Sequence, residues 1–140
     1  MKHARLRAPK GYKSLVPVSA GEAAPSAFRL DGDTLTTPFY RVTLDENGHF
    51  SSIYDRENGR EVVQAGRRAN LLRMFEDKPI YYDNWDIDIY YTEKYWDVTD
   101  VQSLRWTEMG PVRATLEVER KVSNSLIRQK SRCYAHSRRI

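Results

Sequence analysis

Residues 39–63 run Phe39-Tyr40-Arg41-Val42-Thr43-Leu44-Asp45-Glu46-Asn47-Gly48-His49-Phe50-Ser51-Ser52-Ile53-Tyr54-Asp55-Arg56-Glu57-Asn58-Gly59-Arg60-Glu61-Val62-Val63. Tyr40, Val42 and Leu44 fall on one side of an extended chain, and Phe39, Arg41 and Thr43 on the other. Alternation with period two is the pattern of a half-buried strand, because successive side chains leave a pleated backbone on opposite faces. Glu46-Asn47-Gly48 interrupts it. Asn-Gly is a strong hairpin signal, since both residues tolerate the positive φ of a tight turn. His49 to Tyr54 is the return strand, Asp55-Arg56-Glu57-Asn58-Gly59 is a second turn of the same kind, and Arg60 to Val63 follows it. Three short strands joined by two Asn-Gly turns make a β-meander.

The same pattern continues toward the C-terminus. Asn70 to Phe75 is an apolar run stopped by Asp77-Lys78-Pro79, and Val101 to Met109 is a strand ended by Gly110-Pro111. Val112, Ala114, Leu116 and Val118 alternate with Arg113, Thr115, Glu117 and Glu119. Ser123-Asn124-Ser125 is a turn, and Leu126 to Tyr134 is the last strand. Neither helical periodicity nor an internal repeat is present. Short strands with regularly spaced turns point to an all-β fold, an antiparallel β-sandwich. Residues 1–36 hold Pro9, Gly11, Pro17, Gly21, Pro25 and Gly32 and read as a linker or lead-in, with at most one short strand from Tyr12 to Val18. The sandwich then occupies residues 37–140. Ser137-Arg138-Arg139-Ile140 carries no turn or cap, so the sandwich is expected to be incomplete.

The 140 residues suffice for one domain with a modest core, and 40% hydrophobic with 30% charged residues is a soluble globular composition. No apolar run approaches bilayer length, and no apolar stretch follows the basic start, so neither a membrane span nor a secretory signal is expected. The net charge of +4 is unevenly spread. Residues 1–13 carry five basic side chains and residues 120–140 carry seven, with no acid in either, while residues 14–119 sum to −8. A nucleic-acid binder clusters positive charge on its folded face, so this acidic body argues against a nucleic-acid partner. Cys133 is the only cysteine, which excludes an internal disulfide and a thiolate zinc cluster and fits a reducing cytoplasm.

Residues 81–97 concentrate the chemistry: Tyr81, Tyr82, Tyr90, Tyr91, Tyr95, Trp85 and Trp96 stand among Asp83, Asp86, Asp88, Glu93 and Asp97. Aromatic faces cover the flat C–H faces of sugars and carboxylates bond their hydroxyls, so the segment suits a carbohydrate site. The same residues also form strands well and line core edges. Asp86 and Asp88, at i and i+2, would share one strand face. They could act as an acid and base pair in glycoside hydrolysis, help hold a calcium ion, or simply be solvated. His3, His49 and His136 have no metal-ligand spacing and are expected at the surface. No nucleophile elbow or phosphate loop is present.

The string Asn70-Leu71-Leu72-Arg73-Met74-Phe75-Glu76-Asp77-Lys78-Pro79 followed by Tyr82-Asp83-Asn84-Trp85-Asp86-Ile87-Asp88 resembles glycoside hydrolase family 38 α-mannosidases of the bacterial and cytosolic type. These carry a close N-x-L-x-x-F-E-D-x-P…Y-D-A-W-D-I-D pattern. Phe39 to Gly48, Ser52 to Asp55, Gly110 to Ala114, Gly11-Tyr12 and Ser137 to Ile140 also fit. One strand departs from the pattern: Ser131 and Cys133 stand where relatives tend to have apolar residues. The resemblance implies the start of the family's C-terminal, galactose-mutarotase-like β-sandwich. It implies hydrolysis of terminal α-mannosides with retention, using a zinc ion and an Asp nucleophile supplied by a separate barrel. This chain would then hold no cofactor and no catalytic residue, and would be inactive alone. Trp85 and Asp86 would contact the mannoside or oligosaccharide where the sandwich reaches the cleft. The other reading is an autonomous carbohydrate-binding or interaction module. A neighbouring sequence encoding a zinc-bearing barrel separates the two.

Overall fold

The computed structural model describes residues 25–82 and 87–140. The strand expected over Tyr12 to Val18 lies outside them. The strands are β1 (Arg29–Asp31), β2 (Thr34–Thr36), β3 (Tyr40–Leu44), β4 (Phe50–Asp55), β5 (Arg60–Glu61), β6 (Arg73–Phe75), β7 (Tyr95–Asp97), β8 (Val101–Met109), β9 (Arg113–Val122) and β10 (Ser125–Tyr134), with one short 3₁₀ helix over Ile89–Glu93. Strands β1 to β5 follow one another in a five-stranded sheet, and β10, β9 and β8 form a three-stranded sheet. Strands β6 and β7 pair as a separate ribbon. Every pairing is antiparallel.

The two larger sheets bury their apolar faces against each other. Val42, Leu44 and Phe50 from the first meet Leu116 and Val118 from the second, with Trp106 packed beside them. A second cluster joins Phe28 and Leu35 to Ala114, Cys133 and Ala135. Removing each such side chain from water is worth about 1.5–3 kcal/mol for a Val, Leu or Phe. The sandwich thus draws on residues earlier than the alternation from Phe39 suggests. Gly32, at φ 55, turns β1 into β2 and brings Leu35 fully inside. Val112 lies one residue ahead of β9 and is exposed rather than sharing the inner face of Ala114.

Both Asn-Gly turns form, by a different device from the one the dipeptide suggests. Only the glycines take positive φ, 70° at Gly48 and 64° at Gly59. An aspartate opens each turn. The Asp45 carboxylate accepts the amides of Asn47 (3.0 Å) and His49 (2.9 Å). The Asp55 carboxylate accepts those of Glu57 (3.0 Å) and Asn58 (3.1 Å). These are local side-chain bonds to amides that the strand ladder leaves free.

The first turn lies on the second sheet. A Cβ on Gly48 would stand 2.9 Å from Leu104 Cδ1 and 3.0 Å from a Val118 methyl. Beside it, the inner face of β9 ends in a cation: Arg120 is fully buried. Its Nη2 donates to the Asn47 carbonyl at 2.5 Å and its Nη1 to Gln129 Oε1 at 3.0 Å. Burial pulls its pKa below the ordinary value, and the nearby Asp45 carboxylate works against that. The last strand, despite its polar inward residues, pairs with β9 along its whole length from Ser125↔Val122 to Tyr134↔Arg113. Cys133 is buried, which pushes its thiol up to about 11.

The outer face of the three-stranded sheet carries a cross-strand ladder. Glu117, itself buried, lies between Arg105 (2.6 Å) and Lys130 (2.9 Å), and Arg128 bonds Glu119. Arg105 and Lys130 together hold the Glu117 carboxyl at about 2. Two outcomes follow from this packing. Gly48→Ala should cost about 1–3 kcal/mol, from a strained φ and the clash with Leu104 and Val118, read as a lowered urea midpoint. Glu117 is depressed in the folded state, so its stabilisation is complete above pH 4.5 and fades as pH falls toward about 2. Glu117→Gln should therefore flatten the acid limb of a stability–pH curve.

Candidate functional site: an exposed aromatic arm

After β5 the chain is tied back to the first sheet at Ala69, whose amide and carbonyl bond Phe50 at 2.9 and 3.1 Å. It then leaves through Asn70, at φ 60, into β6 and comes back as β7. Arg73 faces Asp97, Met74 faces Trp96 and Phe75 faces Tyr95. Bonds from Val98 N to Leu72 O (2.9 Å) and from Glu76 N to Lys94 O (3.0 Å) extend the ribbon at each end.

Three paired residues are too few to hold a ribbon alone, and the side chains make up the difference. Phe75 packs edge-on to Tyr91 at 5.2 Å between centroids and lies 5.9 Å from Tyr95. The Arg73 guanidinium sits 4.0 Å over the Tyr95 ring and bonds Asp97 at 2.7 Å. The Lys94 ammonium lies 5.1 Å from the Trp96 ring and bonds Glu76 at 3.0 Å. Lys78 and Lys94 together keep the Glu76 carboxyl below its usual range. These rings stay open to solvent: Phe75 is 40% exposed, Tyr95 48% and Trp96 44%. The segment that admitted both a sugar-facing and a core-edge reading is an exposed surface at the residues described here.

Trp85 and Asp86, the contact residues that the resemblance implies, lie outside the described residues. Asp86 lies outside the described residues, and Asp88 does not sit in the strand that the i, i+2 spacing supposed. It stands ahead of the 3₁₀ helix, and its Oδ2 accepts the Ile80 amide at 2.8 Å.

His49 is buried rather than at the surface. The turn folds it inward, with Nδ1 3.4 Å from the Asp45 carboxylate. Burial alone would raise the Asp45 carboxyl, but the His49 amide, Arg68 at 2.9 Å, His49 itself and the Asn47 amide together hold it below its ordinary value. An open recess of about 450 Å³ lies here, with Asp97 and Thr99 on its far side. A second open cleft of about 650 Å³ lies along the inner side of β10. Among the described residues no three His, Cys, Asp or Glu side chains are arranged to hold a metal ion, so they do not fit a catalytic zinc. Among them, too, no helix is long and apolar enough to cross a membrane.

Sequence reading missed the stacking partners Arg73, Phe75 and Lys94, and the hinge at Asn70. Their roles come from the β6–β7 register, across a loop of nearly twenty residues.

The described residues define an antiparallel β-sandwich domain that presents an exposed aromatic arm and no complete catalytic constellation. A sequence profile described as "Glycosyl hydrolases family 38 C-terminal domain" matches residues 35–140, and the chain belongs to that family. It is 37% identical over 60 residues to alpha-mannosidase 2C1 of Homo sapiens, covering 43% of this chain and 6% of that protein. It is 30% identical over 89 residues to alpha-mannosidase G of Dictyostelium discoideum, covering 62% of this chain and 8% of that protein. The chain thus spans under a tenth of the length of these relatives.

Asp88→Ala should release the Ile80 amide, seen as faster hydrogen exchange at Ile80 with no change along β9. Asp88→Asn, which keeps an acceptor, should largely preserve the protection.

Proposed function

We propose that this chain is part of an α-mannosidase that hydrolyses terminal α-mannosides with retention of configuration, and that its sandwich packs against the catalytic barrel and edges the sugar cleft. The observation that carries this reading is the aromatic arm, whose rings are held in place by Arg73, Lys94 and Phe75 yet remain open to solvent. Monomeric proteins rarely leave so much clustered apolar surface uncovered without a partner for it. The family membership and the names of the relatives support a mannoside or oligosaccharide as the ligand and the rest of the enzyme as the covering partner. The compartment in this reading is the cytoplasm, in keeping with a single, buried cysteine.

In this reading zinc and the Asp nucleophile belong to the barrel, and this chain supplies positioning. Trp85 would offer a flat apolar face to a mannose ring and Asp86 would accept bonds from its hydroxyls.

The chain alone should not turn over an aryl α-mannoside in the presence of zinc. In the intact enzyme, Trp85→Ala and Asp86→Asn should each lower kcat/KM by about 10- to 100-fold with little change in melting temperature. A large loss of stability with unchanged kcat/KM would instead place Trp85 in the core.

A further inference from the structure

We propose that Gln129, backed by Arg120, is a positioning residue that clamps Asn70 and so fixes the angle at which the aromatic arm leaves the sandwich. The functional weight of that angle rests on the reading of the arm given above; the clamp itself does not.

Asn70 occupies a decisive place in the chain. Ala69, just before it, is bonded to Phe50 of the sandwich, and Leu72, two residues after it, is bonded to Val98 at the base of the ribbon. The torsions of Asn70 therefore direct the outgoing strand of the arm. Its φ of 60° is left-handed, a region that asparagine enters more readily than other non-glycine residues but still at a cost. Something must hold it there.

The holding groups come from the second sheet. Gln129 Nε2 donates to Asn70 Oδ1 at 2.7 Å, and Asn70 Nδ2 reaches Ser131 Oγ at 3.5 Å. Gln129 Oε1 is in turn occupied by Arg120 Nη1 at 3.0 Å. A guanidinium only donates, so the Gln129 amide cannot turn over without setting donor against donor. The order Arg120 to Gln129 to Asn70 is thus fixed in one direction. Arg120 is itself immobilised by full burial and by the Asn47 carbonyl.

This accounts for the polar inward face of β10. Gln129 and Ser131 point between the sheets, where apolar residues would ordinarily stand and where an unbonded polar group is costly. Both are committed to Asn70. The open cleft beside them, bounded by Phe50, Ile53 and Ala69, leaves space into which an unclamped hinge could move.

The test measures the angle directly. Spin labels on Glu93→Cys in the arm and Arg60→Cys in β5 report the arm-to-sandwich distance. Cys133 will not take label, because it is buried and its thiol stays protonated. The parent chain should give one narrow distance. Gln129→Leu should broaden it, and so should Asn70→Gly, which leaves the left-handed backbone accessible but removes the carboxamide. Asn70→Asp, which keeps an acceptor for Gln129, should restore the narrow distance. Should Gln129→Leu fail to fold, the Gly and Asp variants at position 70 decide, since neither alters a sandwich residue. A distance that stays narrow in Asn70→Gly overturns the clamp. A broadened distance together with unchanged kcat/KM of the intact enzyme upholds the clamp and sinks only the sugar-facing reading of the arm.

Discussion

The Asn47–Gly48 turn lies against the second sheet so closely that there is no room for a side chain at Gly48. Arg120 seals that contact by donating to the Asn47 carbonyl from a fully buried position. Burying a cation is unfavourable unless its donors find acceptors, so Arg120 is useful only where the turn supplies one. The turn in turn depends on Asp45, whose carboxylate gathers the amides of Asn47 and His49. One local device, an aspartate-opened turn ending in glycine, thus sets the distance between the two sheets at this end of the core.

The second sheet uses its two faces differently. The inner face of β9 runs Ala114, Leu116, Val118 and then Arg120, apolar until the last position and polar where it meets the turn. The outer face interleaves carboxylates of β9 with cations of β8 and β10, so the central strand is electrostatically tied to both neighbours. Exposed pairs of this kind contribute little each, but Glu117 is buried and bonded on both sides, which makes its charge costly to remove. The arm follows other rules. Among the described residues it has no sheet behind it, and cross-ribbon ion pairs and cations over aromatic rings serve where a core would otherwise be needed.

The sequence by itself determined the strands and turns of the sandwich from Tyr40 onward, but not β1 and β2, which lie within residues that read as a lead-in. Alternation in β3 and β9, the run Val101–Met109 ended by Gly110-Pro111 and the two Asn-Gly turns mark elements that form, because a half-buried strand imposes period two on its own residues. The pattern over Asn70 to Asp88 also carried the family. Other features depend on residues far apart in the chain. That Arg120 ends the inner face on the Asn47 carbonyl and that Ser131 and Gln129 serve Asn70 follow from neighbours roughly 60 to 70 positions away. Periodicity reports which face a residue is on, and only the tertiary structure decides what that face meets. The same holds for Asp88: spacing put it on a strand face, whereas the folded chain sets it ahead of the 3₁₀ helix with its carboxylate on the Ile80 amide, because a backbone amide left without a ladder partner needs another acceptor.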